Sequence, residues 1–438
     1  MKQYFNEHNL NVKQPIIAII VLLLTIPFAF FTASRVATLP VWLLAGLALG
    51  YIFTRSRFGF AGGIKKLFYA GNSQLAISLL LLLGVTAILT TGIQWSAAGT
   101  GAVSATVAKA GQAIIPGSNY VEFTNVSTIL GGALFGAGMI LAGGCASGTL
   151  TDLGEGQGHA FVAFPFFVLS SPLGVYLGAQ LDASPLGQIG GSVYLPDSFG
   201  YLGSFGILLV FLGVLYAIIR WYQNRRVKNG KYNVQKEIYE TFEQPLTSSD
   251  NQVSLYHKVF IERWSFKTAA FLTTIVAGFI LITTGVPWGV TSAFTLLGFQ
   301  IFDALGVPFN GPEFANWTAQ LDAGGVLSNG TAIRNIGIVI GSLVAFLFAG
   351  RFRFNFKFSG KDAGIYALGG TLMGVGARLA KGCNIGALYS GITNHSLHGY
   401  VFLIALTFGS VLALVVLEGK TAILPQRSTF NEAIEELN

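Results

Sequence analysis

Charge is what this chain has least of: only 10% of its 438 residues are Asp, Glu, Lys or Arg. Soluble domains carry about a quarter, and no water-facing surface can be assembled from so few. That excludes an ordinary soluble globule, and a mean hydropathy of +0.62 points the same way. Cysteine is scarce too. Cys145 and Cys383 are the only two, far apart and each in Gly-rich apolar surroundings, so no disulfide framework is implied. No Walker-type phosphate loop occurs, so the chain does not itself hydrolyse ATP. The excess of basic residues, +7 with a pI near 9.3, is no nucleic-acid footprint. The Lys and Arg sit in short stretches beside apolar runs, which is the positive-inside pattern of a membrane protein.

What is abundant is apolar sequence in long blocks. A membrane helix needs roughly 20 mostly apolar residues. Blocks at 15–33, 38–54, 74–92, 127–143, 160–181, 201–221, 266–285, 333–350, 364–380 and 399–418 predict an all-α polytopic protein with about ten transmembrane spans. Two short or Gly-rich stretches, 96–115 and 290–305, are expected to re-enter rather than cross. The first block follows a long polar lead, has no small-x-small cleavage site behind it, and is read as a retained helix. Residues 223–265 form a polar linker between a first membrane repeat, 1–222, and a second, 266–438.

Basic residues set the orientation. Arg55, Arg57, Lys65 and Lys66 follow the second span, and Arg351, Arg353, Lys357 and Lys361 follow the eighth. Arg225, Arg226, Lys228, Lys231 and Lys236 open the linker, whereas 92–125, 182–199 and 286–330 hold Lys109 alone. Placing the basic side inside predicts a multi-pass inner-membrane protein with linker and both termini in the cytoplasm.

The two halves share a motif. Gly131–Leu150 reads GGALFGAGMILAGGCASGTL and Gly369–Leu388 reads GGTLMGVGARLAKGCNIGAL, with 11 of 20 positions identical, both cysteines included. A weaker echo sets Thr90-Thr91-Gly92-x-x-Trp95 against Thr283-Thr284-Gly285-x-x-Trp288. Internal duplication follows. From Gly92 to Cys145 is 53 residues and from Gly285 to Cys383 is 98, the surplus holding one added crossing at 333–350. That crossing turns the second motif over, so two pseudo-symmetric repeats would build an hourglass-like path from opposite faces.

The residue types suit an anion path. Glycine lets backbones approach closely and exposes main-chain N–H groups, and a helix broken in the membrane aims those groups and a positive dipole end at an anion. A thiol adds a soft, polarizable donor suited to sulfur or selenium. The candidate path residues are Cys145, Gly144 and Gly148 in the first motif, and Arg378, Lys381, Gly382, Cys383, Asn384 and Gly386 in the second. Each has a plainer reading. A membrane cysteine is commonly a small apolar residue, and Gly-rich faces commonly serve helix packing. Arg378 and Lys381 fit snorkelling anchors as well as anion attractors. His159, His395 and His398 follow the cysteines, but two cysteines at this separation lack zinc spacing, and no metal or cofactor is expected.

GGCASG and KGCNIG, each after a Gly-spaced helix, together with RSRFGF at 55–60, resemble the signatures of the YeeE/YedE sulfur-transport family. The resemblance covers roughly residues 39 to 417. It implies an inner-membrane carrier, not an enzyme, for thiosulfate or a related sulfur anion, with inverted halves and re-entrant elements. It also implies that Cys145 and Cys383 pass the substrate along through S–H···S contacts. A small cytosolic sulfur-carrier protein of the TusA type is the implied partner. One departure stands out: the family carries a further cysteine where this chain has Gly59. Two cysteines then suffice, or the substrate is a different sulfur oxyanion or a selenium compound. A membrane thiol sulfurtransferase and a structural subunit of a larger complex are the readings from other classes.

Overall fold

The computed structural model describes residues 2–229, 241–246 and 255–420. Within them the chain is helical, with one antiparallel pairing of two-residue strands, β1 (Phe123–Thr124) and β2 (Gly191–Ser192). The first half runs α1 (Lys2–Glu7), α2 (Gln14–Ala33), α3 (Leu39–Ser56), α4 (Phe60–Ala70), α5 (Gln74–Gly99), α6 (Val126–Ala142), α7 (Ala146–Gly154), α8 (Gly158–Ala183) and α9 (Leu195–Lys228). The second runs α10 (Phe266–Thr284), α11 (Thr291–Ala304), α12 (Ala315–Asp322), α13 (Gly330–Phe348), α14 (Gly360–Leu379), a π-helical turn Asn384–Ser390, and α15 (Leu397–Leu417).

Among the described residues, nine helices are long and apolar enough to cross a membrane, one fewer than predicted. The block at 364–380 does form a helix, α14, but Lys361, Asp362 and Arg378 within it keep it outside that set. Of the two stretches expected to re-enter, 290–305 is the short helix α11, whereas 96–115 leaves the helix after Gly99 and stays irregular. The outermost apolar surface belongs to α2 and α9, where Ile16, Leu23, Leu24, Leu209, Val210 and Val214 are exposed. In water such a surface would be a liability; against lipid it costs nothing.

The centre is set by glycine. A Cβ at Gly131 or Gly138 of α6 would lie 2.7 Å from the carbonyl oxygen of Gly376 or Gly369 of α14, so these helices pack antiparallel with backbones nearly touching. On their flanks, α8 lies parallel to α14 through Gly374 against Phe167, and α15 lies parallel to α6 through Gly132 against Phe402. The ends of α6 and α14 are fixed locally. Asn125 and Thr128 form a capping box at the start of α6, and Ser359 and Asp362 form one at the start of α14.

The weaker echo proposed between the halves does not hold. Thr90–Trp95 lies inside α5, whereas Thr283 and Thr284 end α10 with Gly285 as its left-handed C-cap. The span at 333–350 is therefore no insertion relative to that echo, although α6 and α14 do run in opposite directions. The linker-side basic residues are accounted for in part. Arg55 donates to the carbonyls of Phe260 and Ile261, each at 2.8 Å, and so pins the end of the linker to α3. Lys231, Lys236 and the C-terminal residues 421–438 lie outside the described residues.

Candidate functional site

Each cysteine occupies the same local position. Helix α6 ends at Gly143, whose φ of 88° breaks it, and Cys145 then becomes the N-cap of the short helix α7. Helix α14 ends before Lys381, aligned with Gly143 and likewise left-handed at φ 52°, and Cys383 caps the π-helical turn. The second break carries one residue more before the next long helix begins: α8 starts 13 residues after Cys145, and α15 starts 14 after Cys383. The π-turn absorbs that residue. Leu388 N bonds to Cys383 O at 3.1 Å, where in α7 Thr149 N bonds to Cys145 O at 2.7 Å.

The two thiols meet different surroundings. Cys145 is 1% exposed and its Sγ lies 3.4 Å from Ser147 Oγ. It lines a cavity of about 160 Å³ with Arg57, Gly59, Gly144, Gly148, Asp152 and Glu155. This cavity lies on the side where the linker packs, since Arg57 is ion-paired with Glu243 of the linker at 3.4 Å. Arg351 holds the same carboxylate from the other side.

Cys383 is fully buried, and its Sγ accepts a hydrogen bond from Ile385 N at 3.4 Å. It lines neither the Cys145 cavity nor the larger one beside it. Its neighbours Gly382 and Gly386 form part of the wall of that larger one, about 440 Å³, with Tyr120, Arg378 and Lys381. Two cations face this space, each with a partner. Arg378 donates to Thr291 Oγ1 at 2.8 Å and stacks 5.6 Å from the Trp317 ring centre. Lys381 lies 3.2 Å from Asp182. Glu122 and Glu313 also line it.

Of the ten sequence-derived path residues, eight line one cavity or the other. Cys383 stands behind the wall. Asn384 points elsewhere, donating to Met139 Sδ at 3.5 Å and lining an apolar crevice between α4, α9 and α15. The histidines are not gathered for a metal. His159 pairs with Asp152 at 3.1 Å, His395 with Thr91 at 2.7 Å, and His398 stacks on Phe402. Among the described residues no group of three His, Cys, Asp or Glu side chains could hold an ion. Sequence reasoning missed Glu155 and Asp152, and it read Arg57 only as a topology charge and part of a motif, not as a cavity wall.

A helical assembly in which nine helices among the described residues are long and apolar enough to cross a membrane is that of a multi-pass membrane protein. The chain belongs to the sulphur transport family, whose profile matches residues 55–412. It is similar to the thiosulfate transporter TsuA of Escherichia coli, at 26% identity over 78% of this chain and 84% of that protein. It is also similar to TsuA of Spirochaeta thermophila, at 26% over 65% of this chain and 76% of the relative. The probable transporter YedE of Escherichia coli is 32% identical over 34% of this chain and 38% of its own length. By family this is a transporter and not an enzyme.

Proposed function

We propose that this chain takes up thiosulfate, or a closely related sulfur-containing anion, across the inner membrane into the cytoplasm. Transport runs along a path between two inverted halves, with Cys145 and Cys383 as its soft contact points. The observation that carries the reading is the matched placement of the only two cysteines. Each caps a short helical turn behind a broken, Gly-packed helix; Cys145 lines one cavity, and Gly382 and Gly386 beside Cys383 line another.

Exchanged contacts support the inverted pairing. Gly131 meets Gly376 as Gly369 meets Gly138, and Gly374 meets Phe167 as Gly136 meets Leu406. Likewise α3 packs on α13 through Gly46 and Gly337, and α10 packs on α5 through Gly278 and Leu89. The equivalent elements are then α3 with α10, α5 with α13, α6 with α14, and α8 with α15. An in-plane two-fold axis relates such halves.

The anion enters the wider cavity, drawn by Arg378 and Lys381, whose present partners Thr291 and Asp182 it exchanges for its own oxygens. Gly386 and Tyr120 form the wall in front of Cys383, and this wall has to open. A neutral thiol donates S–H towards the terminal sulfur without repelling the anion, whereas a buried thiolate would do both harm and cost. The anion then passes to Cys145 and leaves beside Arg57 on the cytoplasmic side. A TusA-type carrier receiving sulfur there is the partner this path suits, and selenium analogues fit the same soft contacts. A membrane sulfurtransferase needs a base in contact with its thiol; the side chain bonded to Cys145 is Ser147, a hydroxyl, while Asp152 and Glu155 share the cavity without a bond to the thiol, which favours passage over covalent catalysis.

Uptake of radiolabelled thiosulfate by the purified protein in liposomes tests this. Uptake above protein-free vesicles, suppressed by unlabelled thiosulfate and less so by sulfate, is expected. Uptake no greater than in empty vesicles would overturn the reading.

A further inference from the structure

The linker-side cavity presents an electrostatic difficulty for an anion path. Its charged lining is Arg57, Asp152 and Glu155, and Arg57 is already engaged by Glu243. An anion beside Cys145 would therefore face two carboxylates with their nearest cation committed elsewhere. Asp152 has its own counterpart, His159 of α8, at 3.1 Å. Glu155, in the turn between α7 and α8, is 8% exposed and accepts one hydrogen bond, from Thr54 Oγ1 of α3 at 2.9 Å.

The charged groups around Glu155 come from every side. From α3 there are Arg55, held by the carbonyls of Phe260 and Ile261, and Arg57. From α7 there is Asp152, from α8 His159, and from the linker Glu243. The segment after α13 brings Arg351, paired with Glu243, and Arg353, whose carbonyl backs Gly156. Arg55, Arg57, His159 and Arg351 each have a carboxylate or carbonyl partner other than Glu155, although Arg57 and Arg55 still draw the Glu155 carboxyl down against its burial.

We propose that Glu155 is the proton-binding residue of a proton-linked transport step: it takes up one proton from the cavity water as the sulfur anion enters beside Cys145, and releases it as the anion leaves. The inference rests on the functional reading above and adds to it a proton that binds and leaves with the anion at the Cys145 cavity. The chemistry is a single reversible proton transfer, carboxylate to carboxylic acid, which removes one negative charge from the cavity as the anion brings its own. The protonated form keeps its bond with Thr54, since a hydroxyl can accept as well as donate. Burial and the neighbouring Asp152 push the Glu155 carboxyl up to about 7, so the proton is exchangeable near neutral pH.

Linkage makes this measurable. Anion binding that requires a protonated group weakens about tenfold per pH unit above the pKa of that group. Thiosulfate binding to the purified full chain, followed by calorimetry at pH 7.5 to 8.5 in two buffers of different ionisation enthalpy, counts the protons taken up. About one proton per anion is expected for the wild type. Glu155→Gln, which keeps an acceptor for Thr54, should bind thiosulfate with uptake near zero and a flat pH profile. Asp152→Asn should retain the proton uptake with its pH profile moved to lower pH, because a like charge beside Glu155 is gone. Wild-type binding without proton uptake, or Glu155→Gln that still takes up the proton, would overturn this inference alone. A wild type that binds no thiosulfate would overturn the functional reading, and this inference with it.

Discussion

At Gly59 the backbone is extended, φ −149°, and a Cβ built there meets no atom within 4 Å. Nothing in the local geometry demands glycine, and the position lines the Cys145 cavity. Gly59→Cys should therefore leave abundance and thermal stability unchanged, and raise thiosulfate uptake by adding a third soft contact at the cytoplasmic mouth; loss of folded protein on size-exclusion chromatography would contradict it. The cysteines themselves were legible in the sequence because they repeat in register. Glu155 and Asp152 were not. Asp152, two residues before Gly154, and Glu155, directly after it, carry no signal until the chain folds them against His159 and Thr54. Arg57 was visible as a charge, yet its place on a cavity wall depends on the left-handed turn, φ 51°, that ends α3.

The paired helices show how far sequence pattern reaches at the scale of elements. Most long helices were predicted within a few residues, because an apolar block in a membrane protein has one way to satisfy its backbone. The short helices α4 and α7 and the π-turn were not, because each is set by a left-handed break or a cysteine cap within an otherwise apolar run. At the centre, Gly376 faces Gly131 so closely that any side chain must push the helices apart. Gly376→Val should cost about 1–3 kcal/mol in overpacking, lowering the melting temperature in detergent. Val375→Ala, one residue away, touches no such contact on α6 and should be mild. Equal stability of Gly376→Val and the wild type would mean the two helices do not meet as described. Lys381 holds a left-handed conformation at a position where the first motif has Gly143. Its ion pair with Asp182 gives a reason for keeping lysine there at a cost of roughly 1–2 kcal/mol of backbone strain.

For the whole molecule, the fold class was readable from charge content and block length alone. The count of spans was not, because α14 is a central helix that carries Lys361, Asp362 and Arg378 and whose most apolar stretch is less apolar than those of the other long helices. The cysteine motif suggests the proposed pairing of the halves, while the Thr-Thr-Gly stretches fall at unlike places, inside α5 and at the end of α10. Orientation is an expectation from the basic clusters. Reporter fusions in the linker, at Asn233, and at the C-terminus are expected to report the cytoplasmic side, and a periplasmic signal from the linker would invert the path. The account as a whole stands on Cys145 and Cys383 as transport residues and not packing residues. The measurement that tests this most directly is thiosulfate uptake into liposomes by the wild type and by Cys145→Ala, Cys383→Ala and the double variant, at matched protein density. The account predicts a drop of about tenfold or more for each single variant, equivalent to about 1.4 kcal/mol on the transport barrier, with serine variants no better than intermediate. A double alanine variant that transports at the wild-type rate would contradict it.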